Sequence, residues 1–178
     1  MSLRHALLGM LAEHPASGYD LLKRFNTSLA HVWPAKQSQL YGELGRMAEA
    51  GLIAVTDTGA RNRKEYSITP EGRDELHRWL TQTKPDRSFR SESLLRVFFL
   101  WTLSPEEAAA YLEEFAEEAA RHLAAFEAIR DHAPWRDTEP DRYARITLEH
   151  GLRDARTAVE WARWAGAEVG AAHTAATA

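Results

Sequence analysis

The chain has 178 residues, 44% of them hydrophobic, with 22 Lys and Arg against 26 Asp and Glu for a formal net charge of −4, and no cysteine. This composition suffices for one domain or two small ones with a real core, and it excludes a chain disordered as a whole, a disulfide framework, a thiolate metal site and a surface coated in basic charge. The longest apolar run, Val97 to Trp101, is far too short to span a bilayer, and His14 and Pro15 stand where a signal peptide would place its small-residue cleavage site, so a cytoplasmic protein is expected.

Leu3, Ala6, Leu7, Met10 and Leu11 recur at helical spacing, and Pro15 ends this first helix. Ser17, with Asp20 three residues on, reads as the cap of a second helix that buries Leu21, Leu22 and Phe25. Trp33 precedes Pro34 and should be extended; a third helix follows to about Ala50, with Gly51 as its C-terminal stop. Two β-prone runs, Leu52 to Thr56 and Lys64 to Ile68, flank a turn centred on Gly59 and predict a two-stranded hairpin. Thr69 and Pro70 open a fourth helix whose Leu76, Trp79 and Leu80 face inward. A polar connector then places a boundary near residue 85.

Beyond it everything reads helical. A fifth helix, about Ser93 to Leu103, is apolar nearly all round and is expected to be buried. The sixth opens on Ser104, Pro105 and Glu107, and its Leu112, Phe115, Ala119, His122, Phe126 and Ile129 alternate steps of three and four, a short heptad seam. The seventh starts at Thr138, Pro140 and Asp141 and runs to about Ala165; the remainder has little to bury and is expected to fray. The predicted fold is mainly α, a winged helix-turn-helix over residues 1–85 followed by an antiparallel helical dimerisation domain over 86–166 and a disordered tail over 167–178.

The third helix carries the most informative pattern. Leu40, Leu44 and Met47 form its core stripe, while Ser38, Gly42, Gly45, Arg46 and Glu49 lie opposite, flanked by Gln39 and Tyr41. Each interior glycine should cost roughly 1 kcal/mol against alanine. A thin, hydrogen-bonding face suits a major groove, where Gln, Ser and Arg read base edges. Arg61, Arg63 and Lys64 make the hairpin tip basic, fit for phosphate or the minor groove. Residues 1–85 hold 11 Lys and Arg against 9 Asp and Glu, and the remainder 11 against 17, so DNA would be met by the first half through such local patches. A small-residue face or a basic loop alone is ordinary solvated surface; in this order the DNA reading is the stronger one.

Gly18-Tyr19 opening the second helix, Trp33, Gln39-Leu40-Tyr41, Leu44, Gly51-Leu52-Ile53, Tyr66, Thr69 and Gly72 together resemble the PadR family of bacterial transcriptional regulators, almost continuously from residue 3 to about 80. The later "ESLLRVFFLWTLSPEEA" and "EWARW" resemble the helical C-terminal domain of its larger, virulence-activator subfamily. The resemblance implies a homodimer with a winged helix on each chain, joined through the C-terminal helices and usually repressing nearby genes. By position it puts Gln37, Ser38, Gln39 and Tyr41 on the recognition helix, Tyr19 near the phosphate backbone, and Arg61, Arg63 and Lys64 on the wing. Two positions depart from the pattern. Where the family often has a small polar cap, Lys36 cannot accept a backbone N–H and opposes the helix dipole, so it reads as a phosphate contact. Gly42 stands where proline is common.

The dimer contacts are expected at Leu94, Phe98 and Trp101, at Leu112, Phe115, His122 and Phe126, and at Leu148, Leu152 and Val159. Trp161 and Trp164, with Trp101, are positioned to frame a site for a planar aromatic ligand, although packing of the seventh helix is the simpler use of these rings. His122 with Glu118 offers too few ligands for a metal, and an interface histidine is the simpler reading. No phosphate loop, H-E-x-x-H or G-x-S-x-G is present, so neither an enzyme nor a cofactor is expected. The expected function is sequence-specific transcriptional regulation, most simply repression, by a homodimer on a pseudo-palindromic DNA operator. The competing readings are a sensor that releases DNA on binding a small aromatic ligand, and a protein-interaction module that has lost DNA.

Overall fold

A computed structural model describes residues 2–29, 32–57, 64–86 and 90–177. The chain divides into two units, Met1–Arg87 and Ser88–Ala178. The first contains α1 (Ser2–Glu13), β1 (Ala16–Ser17), α2 (Gly18–Ser28), α3 (Gln37–Glu49), β2 (Ile53–Asp57), β3 (Lys64–Ile68) and α4 (Pro70–Gln82). The second contains α5 (Glu92–Phe98), a 3₁₀ turn at Leu100–Thr102, α6 (Pro105–His132) and α7 (Glu139–Thr177).

One core holds the first unit. It joins Leu7, Leu8 and Leu11 of α1 to Leu21 and Phe25 of α2, Leu40, Leu44 and Met47 of α3, and Ile53 of β2. Each such side chain, fully withdrawn from water, contributes on the order of 1.5–3 kcal/mol. The hairpin pairs Ile53 with Ile68 and Val55 with Tyr66. The sheet is three-stranded, in the order β1-β3-β2, rather than the two-stranded hairpin expected. Ala16 lies opposite Tyr66 and Ser17 opposite Glu65, and two residues are too few for strand periodicity to show in a sequence. Ser17 serves twice, since its Oγ also accepts the Asp20 N–H at 3.2 Å and caps α2.

On α4, Thr69 Oγ1 accepts the Gly72 N–H at 3.1 Å. A Cβ on Gly72 would sit 2.1 Å from the Leu52 carbonyl oxygen, so only glycine fits there. Trp79 stacks on buried His5 of α1 at 4.6 Å, and His5 Nε2 lies 3.1 Å from Glu75 Oε1. Leu76 packs on the core, but Leu80, expected to face inward, is exposed: α4 meets α1 through Leu76 and Trp79, and Leu80 falls outside that contact.

In the second unit α6 and α7 are antiparallel. Phe126 of α6 lies over Gly151 of α7, and further back along α6 Phe115 meets Trp161 edge-on at 5.3 Å. Ser104 and Glu107 form the expected capping box, with bonds of 3.2 and 2.9 Å. Three expectations are corrected here. Leu112, Leu152 and Val159, assigned to the dimer contact, are buried within one chain and have no surface for a partner, because α7 brings its own line of Leu152, Ala155, Val159, Ala162 and Ala165 against the α6 seam. His122 is exposed in the single chain, which leaves its expected place in the dimer contact open. The fifth helix stops at Phe98, and α5 buries none of its side chains; of this segment only Leu100 in the following turn is buried, because the two turns of α5 bring only Val97 against the Leu100–Leu112 cluster. Finally, α7 continues to Thr177 instead of fraying from 167 onward. The segment is rich in alanine, the best helix former, and Val169 still packs near Leu100, Leu112 and Ala165.

Candidate nucleic-acid interface

α3 ends in a complete Schellman motif. The Leu52 N–H donates to the Met47 carbonyl at 3.0 Å and the Gly51 N–H to the Ala48 carbonyl at 3.1 Å, with Gly51 at φ 70°. Thr69 Oγ1 then donates to the Gly51 carbonyl at 2.8 Å, tying the end of α3 to the start of α4. At the other end Lys36 is the N-cap without a side-chain cap of its own. Gln39 compensates: its Oε1 accepts the Lys36 N–H at 2.8 Å. Gln39 therefore has a structural duty that its family position did not reveal, and its amide N–H groups are the part left to face outward.

Between these ends α3 sorts its residues sharply. Leu40, Leu44 and Met47 are buried, while Gln37, Ser38, Gln39, Tyr41, Gly42, Gly45, Arg46 and Glu49 are exposed. A Cβ on Gly45 would meet nothing within 4 Å, and one on Gly42 would meet only Arg46 Nη1, at 3.8 Å. Neither glycine answers a packing need; both thin the outward face. Tyr41, 39% exposed, rests on the start of α2, where a Cβ on Gly18 would lie 2.6 Å from its ring. Burial pushes the half-buried Tyr66 hydroxyl up, and neighbouring Tyr41 adds to this. Tyr19, next to Gly18, is 66% exposed. Lys36 is exposed, as is Lys64, which opens β3 opposite Asp57. Arg61 and Arg63, expected at the wing tip, lie outside the described residues.

One residue escaped the sequence reading. Glu43 sits on the core stripe, three residues after Leu40, and is only 8% exposed. Its Oε2 accepts from Arg46 Nε at 2.9 Å and Nη2 at 2.5 Å, and its Oε1 from Arg4 Nε of α1 at 2.8 Å. Burial pushes this carboxyl up, but the hydrogen bonds and charges of Arg46 and Arg4 outweigh it and hold the group below its ordinary value. The signal was a lone carboxylate on an apolar stripe, which demands a cation partner.

In the second unit Leu94, Phe98 (74%) and Trp101 (78%) are exposed, together with Leu95, Phe99 and Leu103. Phe115, Phe126 and Leu148 are half-buried. Trp161 is engaged by Phe115 and the Leu100–Leu112 cluster, whereas Trp164 is exposed.

Residues 7–78 match the transcriptional regulator PadR-like family, and residues 89–169 match the family described as virulence activator alpha C-term. The negative transcriptional regulator PadR of Bacillus subtilis (strain 168) is 30% identical over 168 residues, 89% of this chain and 92% of that one. The chain belongs to the PadR-like family of transcriptional regulators. A crystal structure of Bacillus subtilis PadR in complex with operator DNA matches it with a TM-score of 0.85 at 27% identity, covering 95% of this chain and 99% of that chain. Another, in complex with p-coumaric acid, matches with a TM-score of 0.82 at 28% identity over 96% and 99%. The PadR fold accounts for both units, a winged helix-turn-helix and a helical C-terminal domain. Within it α3 is the second helix of the helix-turn-helix and the β2–β3 hairpin is the wing.

Proposed function

We propose that the protein is a homodimeric repressor that binds a pseudo-palindromic operator through α3, with Tyr19, Lys36 and Lys64 on phosphates and Gln37, Ser38, Gln39, Tyr41 and Arg46 at base edges. The observation that carries this reading is the sorting of α3, which buries Leu40, Leu44 and Met47 and leaves a thin face of small and hydrogen-bonding residues in water. Similarity to a relative crystallised with operator DNA supports it, and so does that relative's description as a negative regulator. The exposed Leu94, Leu95, Phe98, Phe99, Trp101 and Leu103 form an apolar run unusual for a monomer, and a second copy of the chain is the occupant that a palindromic operator requires.

The test is binding at defined salt, because phosphate contacts make affinity salt-dependent. Lys64→Ala or Arg63→Ala weakens binding to all sequences alike, whereas Gln39→Ala relaxes sequence preference. If neither change alters binding to the operator, the assignment of the site is wrong.

A second reading has its own support. Trp101 and Trp164 are exposed aromatic surface in the helical unit, and a relative is crystallised with p-coumaric acid. A planar aromatic effector that releases DNA would quench tryptophan fluorescence saturably. The absence of saturable quenching across a broad panel of aromatic acids favours a regulator without a ligand of this class.

A further inference from the structure

We propose that Glu43 is a positioning residue that makes Arg46 a reader of guanine instead of a general phosphate contact. This rests on the reading of α3 as the recognition helix and assigns the readout to one side chain.

The geometry separates Arg46 from the other cations of the interface. Lys36 and Lys64 are exposed, and no carboxylate is bonded to either among the described interactions. Arg46 is also largely exposed, with 61% of its side chain in water, yet Glu43 holds its Nε and Nη2 edge in a fork. Glu43 cannot turn away to follow it. It is buried on the core stripe, and its second oxygen is held by Arg4 from α1. The guanidinium thus has a fixed seat at one end, and its Nη1 lies beside Gly42, 3.8 Å from where a Cβ would stand.

This arrangement suits base reading and not phosphate binding. A guanidinium whose charge is met by a carboxylate at hydrogen-bond distance displaces few counterions, so it adds little to the salt-dependent part of affinity. Its remaining N–H groups, on Nη1 and the outer side of Nη2, are two parallel donors. That is the pattern that pairs with O6 and N7 of guanine in the major groove. Holding the fork before DNA arrives removes most of the ordering that a free arginine would undergo on binding.

The test uses the full chain, its selected operator, and non-specific DNA over a salt series. Glu43→Gln keeps the shape of the side chain but removes the charge that meets Arg46. The ratio of operator to non-specific affinity is expected to fall by about 5–150-fold, the range of one bidentate base contact. Affinity for non-specific DNA at fixed salt should rise, and the slope of log K against log salt should steepen by about 0.9, one phosphate contact. Arg46→Ala should lose the same discrimination, confined to one guanine of each half-site, with the slope unchanged, and Arg46→Lys should not rescue it. A Glu43→Gln protein that melts lower but keeps both its affinity ratio and its slope would reduce Glu43 to a strut between α1 and α3. If Glu43→Gln does not fold, Arg46→Ala decides alone: uniform weakening across sequences with a shallower slope makes Arg46 a phosphate contact and overturns the proposal. A wild-type chain without sequence preference would instead overturn the reading of α3 itself, and the proposal with it.

Discussion

Gly18→Ala is the most direct probe of how α2 and α3 fit together. A Cβ at this position would lie 2.6 Å from Tyr41 Cε1, with Cζ and the hydroxyl oxygen at 3.3 and 3.4 Å. Carbon atoms settle at about 3.5–4.0 Å, so the ring must retreat by about 1 Å. Tyr41 is exposed enough to swing outward, which spares the backbone but moves the phenol from its place near Tyr66. Overpacking of this kind typically costs about 1–3 kcal/mol. Alanine recovers up to about 1 kcal/mol of helix propensity, so a net loss of up to roughly 2 kcal/mol is expected. In a unit of this size each kcal/mol lowers Tm by about 4–8 °C. The assay is urea and thermal unfolding of wild type, Gly18→Ala, Tyr41→Ala and the double variant, with operator binding measured on all four. In the Tyr41→Ala background the clash is absent and Gly18→Ala becomes neutral or stabilising, giving a coupling energy of at least about 1 kcal/mol. Gly18→Ala alone should also weaken operator binding, since it moves a ring of the proposed interface. Equal destabilisation by Gly18→Ala in both backgrounds would refute the argument.

Other expectations follow from the same contacts. Gly42→Ala meets nothing closer than 3.8 Å, so it should stabilise the first unit by up to about 1 kcal/mol in urea unfolding while weakening operator binding; unchanged operator affinity would return Gly42 to an ordinary surface glycine. Phe98→Glu with Trp101→Glu should convert a dimer to a monomer in sedimentation analysis without unfolding α6 and α7, because both side chains are exposed within the chain. The Glu43 and Glu75 carboxyls are both held below their ordinary values, so their contribution is complete at neutral pH and is lost as pH falls through the folded-state values. Thermal unfolding from pH 7 to pH 3 should therefore show the first unit weakening below about pH 4.3, less so in Glu43→Gln.

The local signals in the sequence were strong where one residue type has one physical use. Ser17, Thr69 and Ser104 cap the helices they precede, Gly51 takes the positive φ that ends α3, and the Leu40–Leu44–Met47 stripe is buried. What stayed hidden depends on partners distant in sequence. Periodicity marks Leu112, Leu152 and Val159 as apolar but does not say whether α7 or a second chain covers them. The apolar run of α5 reads as core for the same reason, yet within the helical unit only its Val97 packs against the Leu100–Leu112 cluster and none of its side chains is fully buried. The role of Glu43 is not legible because its partner Arg4 lies 39 residues away, and the capping role of Gln39 because it arises where lysine replaces a capping residue.

The central claim is that two copies of α3 read DNA together. Selection of bound sequences from a random DNA pool by the full chain tests it most directly. The account predicts enrichment of an inverted repeat whose half-sites lie about one helical turn apart, roughly 34–36 Å, with a preferred guanine in each half that disappears in Arg46→Ala. A pool that remains random after repeated selection at low salt, or a single asymmetric site bound by one chain, would contradict it.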